Sequence, residues 1–210
     1  MKLMYLGPPG AGKGTMAART RELLGIPHIS TGELFRENVA GETPLGLEVK
    51  GIMERGDLVP DEITVAMVKE RLERSDAADG FILDGFPRTI PQAEALAGVT
   101  DLDHAINFSC PEDELIRRLT GRRFCPVCGR TYHVVFLPPA TKGRCDDDGA
   151  ELATRDDDTL EAVRNRLMVY TESTEPLIGW YSGNGLLRDV DASVAPDRVF
   201  EAVREILGRS

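Results

Sequence analysis

The sequence predicts an α/β fold: a five-stranded parallel sheet flanked by helices, with two insertions set into it. Two observations carry this. Short apolar runs alternate with longer helical stretches along the chain, the order that builds parallel sheets from strand–helix–strand units. One segment, 121–155, breaks that rhythm with three cysteines, paired prolines and an Asp run, and marks a small unit of different construction.

The elements follow in order. KLMYL (2–6) reads as a buried strand, then a glycine-rich turn and a helix over 13–24. HIS (28–30) is a second strand, followed by helical stretches at about 31–41, 44–54 and 61–75. FILD (81–84) is a third strand, apolar enough for a sheet covered on both faces. HAINFS (104–109) is the fourth, after which Pro111 opens a helix to about 120, since a first helical turn needs no N–H there. Tyr132, Val134, Val135 and Phe136 suit strands and predict antiparallel pairing inside the insertion. A long helix over about 157–180 returns to the core, LLRDVD (186–191) is the fifth strand, and 196–208 is a closing helix.

Composition narrows the function classes. The formal net charge of −10 argues against nucleic acid or acidic membranes as general partners, although a local field can still hold a small anion. The cations are 20 Arg and 5 Lys, a bias compatible with forked recognition of phosphate oxygens, and equally with base composition. MKLMYL is too short for a signal-peptide core, and no stretch approaches the roughly 18 apolar residues of a membrane span. The expectation is a cytosolic protein.

Residues 7–15 read GPPGAGKGT, between a strand and a helix. Glycines let several backbone N–H groups turn toward one anion, the helix N-terminus adds its positive end, and Lys13 adds a mobile charge. The strict phosphate-loop pattern has Ser or Thr directly after the Lys; here Gly14 intervenes and Thr15 follows, placed for Mg²⁺ through water. Asp84, at the carboxyl end of its strand, would face this loop and could organise Mg²⁺ with Thr15. Gly85, Phe86 and Pro87 form a turn that would present Arg88 into the same crevice.

GPPGAGKGT, TGELFR (31–36), GDLVPDE (56–62), DGFPRT (84–89), GRR (121–123) and TRDDD (154–158) occur together in this order. The chain thereby resembles the adenylate kinase family of nucleoside monophosphate kinases, of the long-lid zinc-binding type, from residue 2 to about 208. The resemblance implies a P-loop core of 1–29, 60–120 and 159–210, an AMP-binding insertion over 30–59 and a lid over 121–158. It implies that Gly10, Ala11, Gly12, Lys13, Gly14 and Thr15 surround the ATP phosphates. Thr131, Tyr132 and Val194 match positions beside the donor nucleotide. Thr31, Arg36, Asp57, Leu58, Val59, Gly85, Phe86, Pro87, Arg88 and Gln92 match the AMP side, with Thr31 and Gln92 reading adenine. Arg118, Arg122, Arg155 and Arg166 match the clamp on the transferring phosphates, with Arg155 and Arg166 counted on the AMP side as well and Arg118 and Arg122 on the ATP side. ATP, AMP and ADP, Mg²⁺ and a monomeric state are the corresponding expectations.

The chemistry is coherent without the family. A monophosphate, with its second pKa near ~6, is already a nucleophile at neutral pH. What is needed is neutralisation of two anions brought together in line and stabilisation of a loose transition state, which Mg²⁺, Lys13 and several Arg supply. No motif implies the base that a hydroxyl acceptor requires. The rivals are the same chemistry on another nucleobase, a non-catalytic nucleotide sensor, and a kinase for a hydroxyl metabolite.

Cys125-Pro-Val-Cys128-Gly and, after 16 residues, Cys145-Asp-Asp-Asp148-Gly match zinc-ribbon spacing, two tight turns each offering two ligands. Asp148 stands where a fourth Cys is expected, with Asp146, Asp147 and His133 as alternatives. Such a closed site would be structural Zn²⁺, stapling an insertion that has little core. Cys110, His28 and His104 read as structural.

Overall fold

The computed structural model describes residues 1–209. Its strands, in chain order, are β1 (Lys2–Leu6), β2 (His28–Ser30), β3 (Phe81–Asp84), β4 (His104–Ser109), β5 (Arg122–Phe124), β6 (Thr131–His133) and β7 (Leu187–Asp191). The helices are α1 (Lys13–Leu24), α2 (Thr31–Ala40), α3 (Pro44–Arg55), α4 (Asp61–Leu72), α5 (Ile90–Ala97), α6 (Glu112–Thr120), α7 (Leu160–Val169), α8 (Pro176–Gly183) and α9 (Pro196–Ile206).

In β1, Leu3 and Tyr5 join one buried cluster while Met4 and Leu6 join another. A strand apolar on both sides belongs in the middle of a covered sheet. It lies there, in a sheet of order β2-β3-β1-β4-β7 whose pairings are all parallel. One face is covered by α1, α6, α7 and α9 through Met16, Leu115, Val163 and Val203. The other is covered by α4, α5 and α8 through Val68, Leu96 and Leu177. All five expected core strands are present.

Two expectations need correction. The sequence reading assigned no helix after Arg88, yet α5 forms there, started by Thr89, whose side chain accepts the Gln92 N–H, and by a Pro in its first turn. The single helix expected over 157–180 is instead a 3₁₀ turn at Asp156–Asp158, then α7, a wide π turn at Tyr170–Thr174, and α8. Pro176 has no N–H for an unbroken ladder, so the backbone loosens just before it. That loosened stretch touches the Arg88 turn, because Thr174 Oγ1 donates to the Arg88 carbonyl at 2.9 Å.

Each insertion has a small core of its own. Phe35, Val49 and Val59 pack with Ile52, Met53, Ile63 and Met67 around α2 and α3. In the 121–158 segment, β5 and β6 pair antiparallel, and the buried cluster is only Cys125, Tyr132 and Cys145 with Ala150 and Leu152 beside it. Among the described residues no helix is long and apolar enough to cross a membrane.

The helices of the first insertion meet at Gly46, where a methyl group would overlap the Asn38 carbonyl oxygen that ends α2. Backbone cannot move aside as a side-chain tip can. Gly46→Ala should lower stability by about 1–3 kcal/mol by urea unfolding, with the largest gain in hydrogen exchange within residues 31–56.

Candidate active site

The carboxyl ends of β1, β2 and β3 open into one crevice, the usual place for a ligand in a parallel sheet. The loop after β1 turns through left-handed backbone at Gly10 (φ 87°) and Gly12 (φ 89°), conformations that favour glycine. α1 then begins with no side-chain cap and no acidic residue in its first turn. Its leading N–H groups are thus left for an anion. Gly14 and Thr15 are exposed at this end, while Ala11 is buried.

Lys13 folds back on its loop, donating to the Gly7 carbonyl at 2.7 Å and the Pro8 carbonyl at 2.9 Å. Burial, with Arg88, Arg166 and Arg122 nearby, pushes its ammonium down to about 8 against the pull of Asp84. Asp84 does face the loop: its Oδ2 lies 3.6 Å from where a side chain on Gly14 would begin. Burial raises this carboxyl, but a hydrogen bond from His28 and the charges of Lys13 and Arg88 outweigh it and hold Asp84 below the usual carboxylate value. His28 Nε2 lies 3.2 Å from Asp84 Oδ2, so a histidine read as structural is in fact the partner of a site carboxylate.

A second cleft opens beneath α2 and α3. Of the twelve residues expected on the AMP side, it is lined by nine: Thr31, Arg36, Asp57, Leu58, Val59, Gly85, Arg88, Gln92 and Arg166. Phe86 is instead buried in the core beside Met4 and Leu83, and Pro87 is buried too; their part is to shape the turn. In that turn Gly85 takes φ 78°, and its carbonyl accepts from Arg88 Nε and Thr31 Oγ1, each at 2.8 Å. Asp57 is pinned by Asn165 of α7 and by Arg55, whose hydrogen bonds hold its carboxyl below the usual value. Gln92, 1% exposed, has both ends of its amide engaged: Oε1 accepts from the Arg88 N–H and Nε2 donates to Asp61 Oδ1, each at 2.7 Å.

Between the loop and the cleft stand six cations, Lys13, Arg36, Arg88, Arg122, Arg155 and Arg166, against three carboxylates, Asp84, Asp157 and Asp158. Burial and mutual repulsion push Arg88 and Arg155 down to about 10 and lower Arg36 as well. Asp158, with a side chain wholly shielded, accepts from Arg122 at 2.5 and 2.7 Å and from Arg166 at 3.2 Å. Asp157 pairs with Arg166 at 3.0 Å and also lines the cleft. The Nε of Arg155 is buried without a partner. The six cations outnumber the carboxylates paired with them, a local positive excess in a chain of net −10 that suits an anion.

Arg118 does not share these partners. It donates to Glu114 and to the Ala192 carbonyl, tying α6 to the loop that carries the exposed Val194. Thr131 is exposed, but the Tyr132 ring is buried in the small insertion, where its hydroxyl donates to Cys145 Sγ and accepts from the Asp146 N–H. That ring packs the interior of the insertion.

The ligand atoms of Cys125, Cys128, Cys145 and Asp148 all lie within 4.8 Å of one another. The Cys128 and Cys145 sulfurs are 3.5 Å apart, and Asp148 Oδ2 is 3.3 Å from Cys125 Sγ. A tetrahedron with Zn–S bonds near 2.3 Å has sulfur–sulfur edges of about 3.8 Å, so this donor set fits such an ion. The alternatives are occupied: Asp146 accepts from the Ala140 N–H, Asp147 pairs with Arg130, and His133 Nδ1 accepts from the N–H groups of Val135 and Phe136.

A family model described as Adenylate kinase matches residues 5–186. Among similar proteins, the adenylate kinase of Carboxydothermus hydrogenoformans is 53% identical over 213 residues, 99% of both chains. Those of Clostridium beijerinckii and Brevibacillus brevis are 49% and 50% identical, over 100% and 99% of both chains. The chain belongs to the adenylate kinase family. It is therefore a phosphotransferase, and its reaction is the reversible, Mg²⁺-dependent conversion of ATP and AMP into two ADP, which balances the adenine nucleotides.

Sequence reasoning did not single out His28, Asp61, Asp157 or Asp158 for this adenylate kinase site. The two later aspartates were visible in the TRDDD motif, but only the fold shows that they face the Arg cluster. Asp158→Ala leaves Arg122 and Arg166 without their shielded counter-ion and should destabilise the protein by about 3 kcal/mol in urea unfolding. The exposed neighbour Asp156→Ala should stay within about 0.5 kcal/mol of the parent.

Proposed function

We propose that ATP binds on the 10–15 loop with Thr131 and Val194 beside it, that AMP binds in the cleft under α2 and α3, and that the Arg cluster between them carries the transfer. The observation behind this is the surplus of positive charge between two openings, one made of backbone N–H groups and one lined by nine of the expected AMP-side residues. Lys13 exchanges the Gly7 and Pro8 carbonyls for phosphate oxygens. Arg88, Arg122, Arg155 and Arg166 then neutralise the approaching acceptor and the charge that spreads over the transferring group. No side chain is required to remove a proton, since the acceptor phosphate already carries its charge. Thr31 and Gln92 hold the acceptor base, and Arg118 supports the donor side by bracing the loop of Val194.

Asp84, ionised and aimed at Gly14, is a fitting oxygen donor for Mg²⁺, with Thr15 joined through water. When bound, Mg²⁺ draws charge from the phosphates. Cys125, Cys128, Cys145 and Asp148 would hold a structural Zn²⁺ that staples the 121–158 segment. Segments 30–59 and 121–158, each with its own core, act as units that close over the acceptor and the donor and shut out water. A monomer in the cytoplasm accompanies this reading, four free cysteines suiting a reducing compartment.

The test is ADP formation from ATP plus AMP, followed by a coupled assay. Lys13→Ala should cost about 10²-fold or more in kcat. In the wild type, kcat/KM for ATP should fall as pH rises through about 8, where the free enzyme's Lys13 loses its proton, while kcat holds to higher pH because bound phosphates favour the ammonium. A flat kcat/KM profile to pH 10, together with an unchanged KM for ATP in Lys13→Ala, would remove Lys13 from phosphate binding. For the lid, one zinc per chain by elemental analysis and a lower melting temperature after chelation, confined to a transition in 121–158, are expected.

A further inference from the structure

Asp61 opens α4 and lies outside the residues assigned above to either nucleotide, yet both of its oxygens face the acceptor turn. Oδ1 accepts from Gln92 Nε2 at 2.7 Å, and Oδ2 accepts from Thr89 Oγ1 at 2.8 Å. Thr89 Oγ1 in turn accepts the Gln92 backbone N–H at 3.3 Å, which closes a ring of three residues around the cleft-lining amide. On the other end of that amide, Gln92 Oε1 accepts the Arg88 N–H at 2.7 Å.

The chemistry of these partners leaves the amide one orientation. A carboxylate only accepts and a backbone N–H only donates, so the NH₂ must face Asp61 and the oxygen must face Arg88. Rotating the amide by half a turn would set oxygen against oxygen and N–H against N–H. One N–H and one oxygen lone pair then remain, in a fixed order. Adenine offers an exocyclic NH₂ donor beside a ring-nitrogen acceptor, which such an amide can meet with two hydrogen bonds. A 6-oxo purine carries the reverse order, an oxygen acceptor beside a ring N–H. An unrestrained glutamine could turn to suit either base.

We propose that Asp61, anchored by Thr89, is a positioning residue for base selection: it locks the Gln92 amide in the sense that matches adenine and refuses 6-oxo purines. This rests on the acceptor-site reading above. Asp61 touches neither substrate nor the reacting phosphates, and it acts through Gln92.

The experiment compares kcat/KM for AMP and for inosine monophosphate at saturating ATP, in the wild type, Asp61→Asn, Thr89→Val and Gln92→Ala. Asparagine is close to isosteric but can present either oxygen or NH₂, so it releases the amide. The AMP-to-IMP ratio should fall by about tenfold or more in Asp61→Asn, through a higher KM for AMP and a gain on IMP, with KM for ATP little changed. Thr89→Val, which removes the anchor on Oδ2 together with the α5 cap on the Gln92 N–H while leaving the Asp61–Gln92 bond in place, should lower the ratio by a smaller factor, and it serves as the deciding variant if Asp61→Asn does not fold. An unchanged ratio in the folded variant, with AMP and IMP falling together, overturns the proposal and leaves Asp61 a structural residue. If Gln92→Ala leaves KM for AMP unchanged, the acceptor-site reading itself fails, whatever Asp61→Asn does.

Discussion

Six cations crowd a space that holds three carboxylates, and the rest of the molecule is arranged around keeping them there. Burial out of water, and after it the repulsion between like charges, lowers the pKa values of Lys13, Arg88 and Arg155. Two shielded acids relieve part of that repulsion. Asp158 grips Arg122 and Arg166 at once, and Asp157 takes a further share of Arg166. These acids come from the 3₁₀ turn ahead of α7, while the cations come from the phosphate loop, α2, the turn after β3, the small insertion and α7. A charge surplus of this kind favours an anion as its partner.

The parallel sheet makes that crowding possible by pointing the ends of β1, β2 and β3 at one place. Their register sets Asp84 level with Tyr5 and Ser30, so the carboxylate at the tip of β3 lies between the phosphate loop and the start of α2. Helices on both faces bury nearly all of β1 and β3, and the site sits at the ends of these most deeply buried strands. The two insertions differ: each packs around a small cluster of its own, and the second is so thin that three of its residues' sulfur and phenol groups form most of its interior. The sheet ends and the two insertions are thus packed around separate clusters.

Much of this was readable before any fold was known. Strand–helix alternation identified the sheet, because period and burial are local properties of a stretch of residues. The phosphate loop was legible for the same reason: strand, glycines, Lys13 and helix follow one another within nine residues. The cysteine pairs announced their geometry through spacing alone. The start signal of α5, Thr89 followed by Pro91, overlaps the end of the DGFPRT turn, so a single stretch of sequence carries both a turn and a helix start. The 157–180 helix was over-extended because helical periodicity continues through the Tyr170–Thr174 segment, and only the crowding before Pro176 widens the turn.

What the chain by itself determined is therefore what is written in short-range order: the core strands and most helices, the glycine-rich loop, the cysteine spacing and the family. Tertiary structure alone decided which distant side chains face one another. His28 meets Asp84 across 56 positions, Arg122 meets Asp158 across 36, and Asp61 meets Gln92 across 31. It also turned the Tyr132 ring inward and set Asp148, of three adjacent aspartates, beside the three cysteines. The reason is physical: a hydrogen bond or ion pair depends on direction and on distances of a few ångströms, and those are fixed only when strands and helices pack.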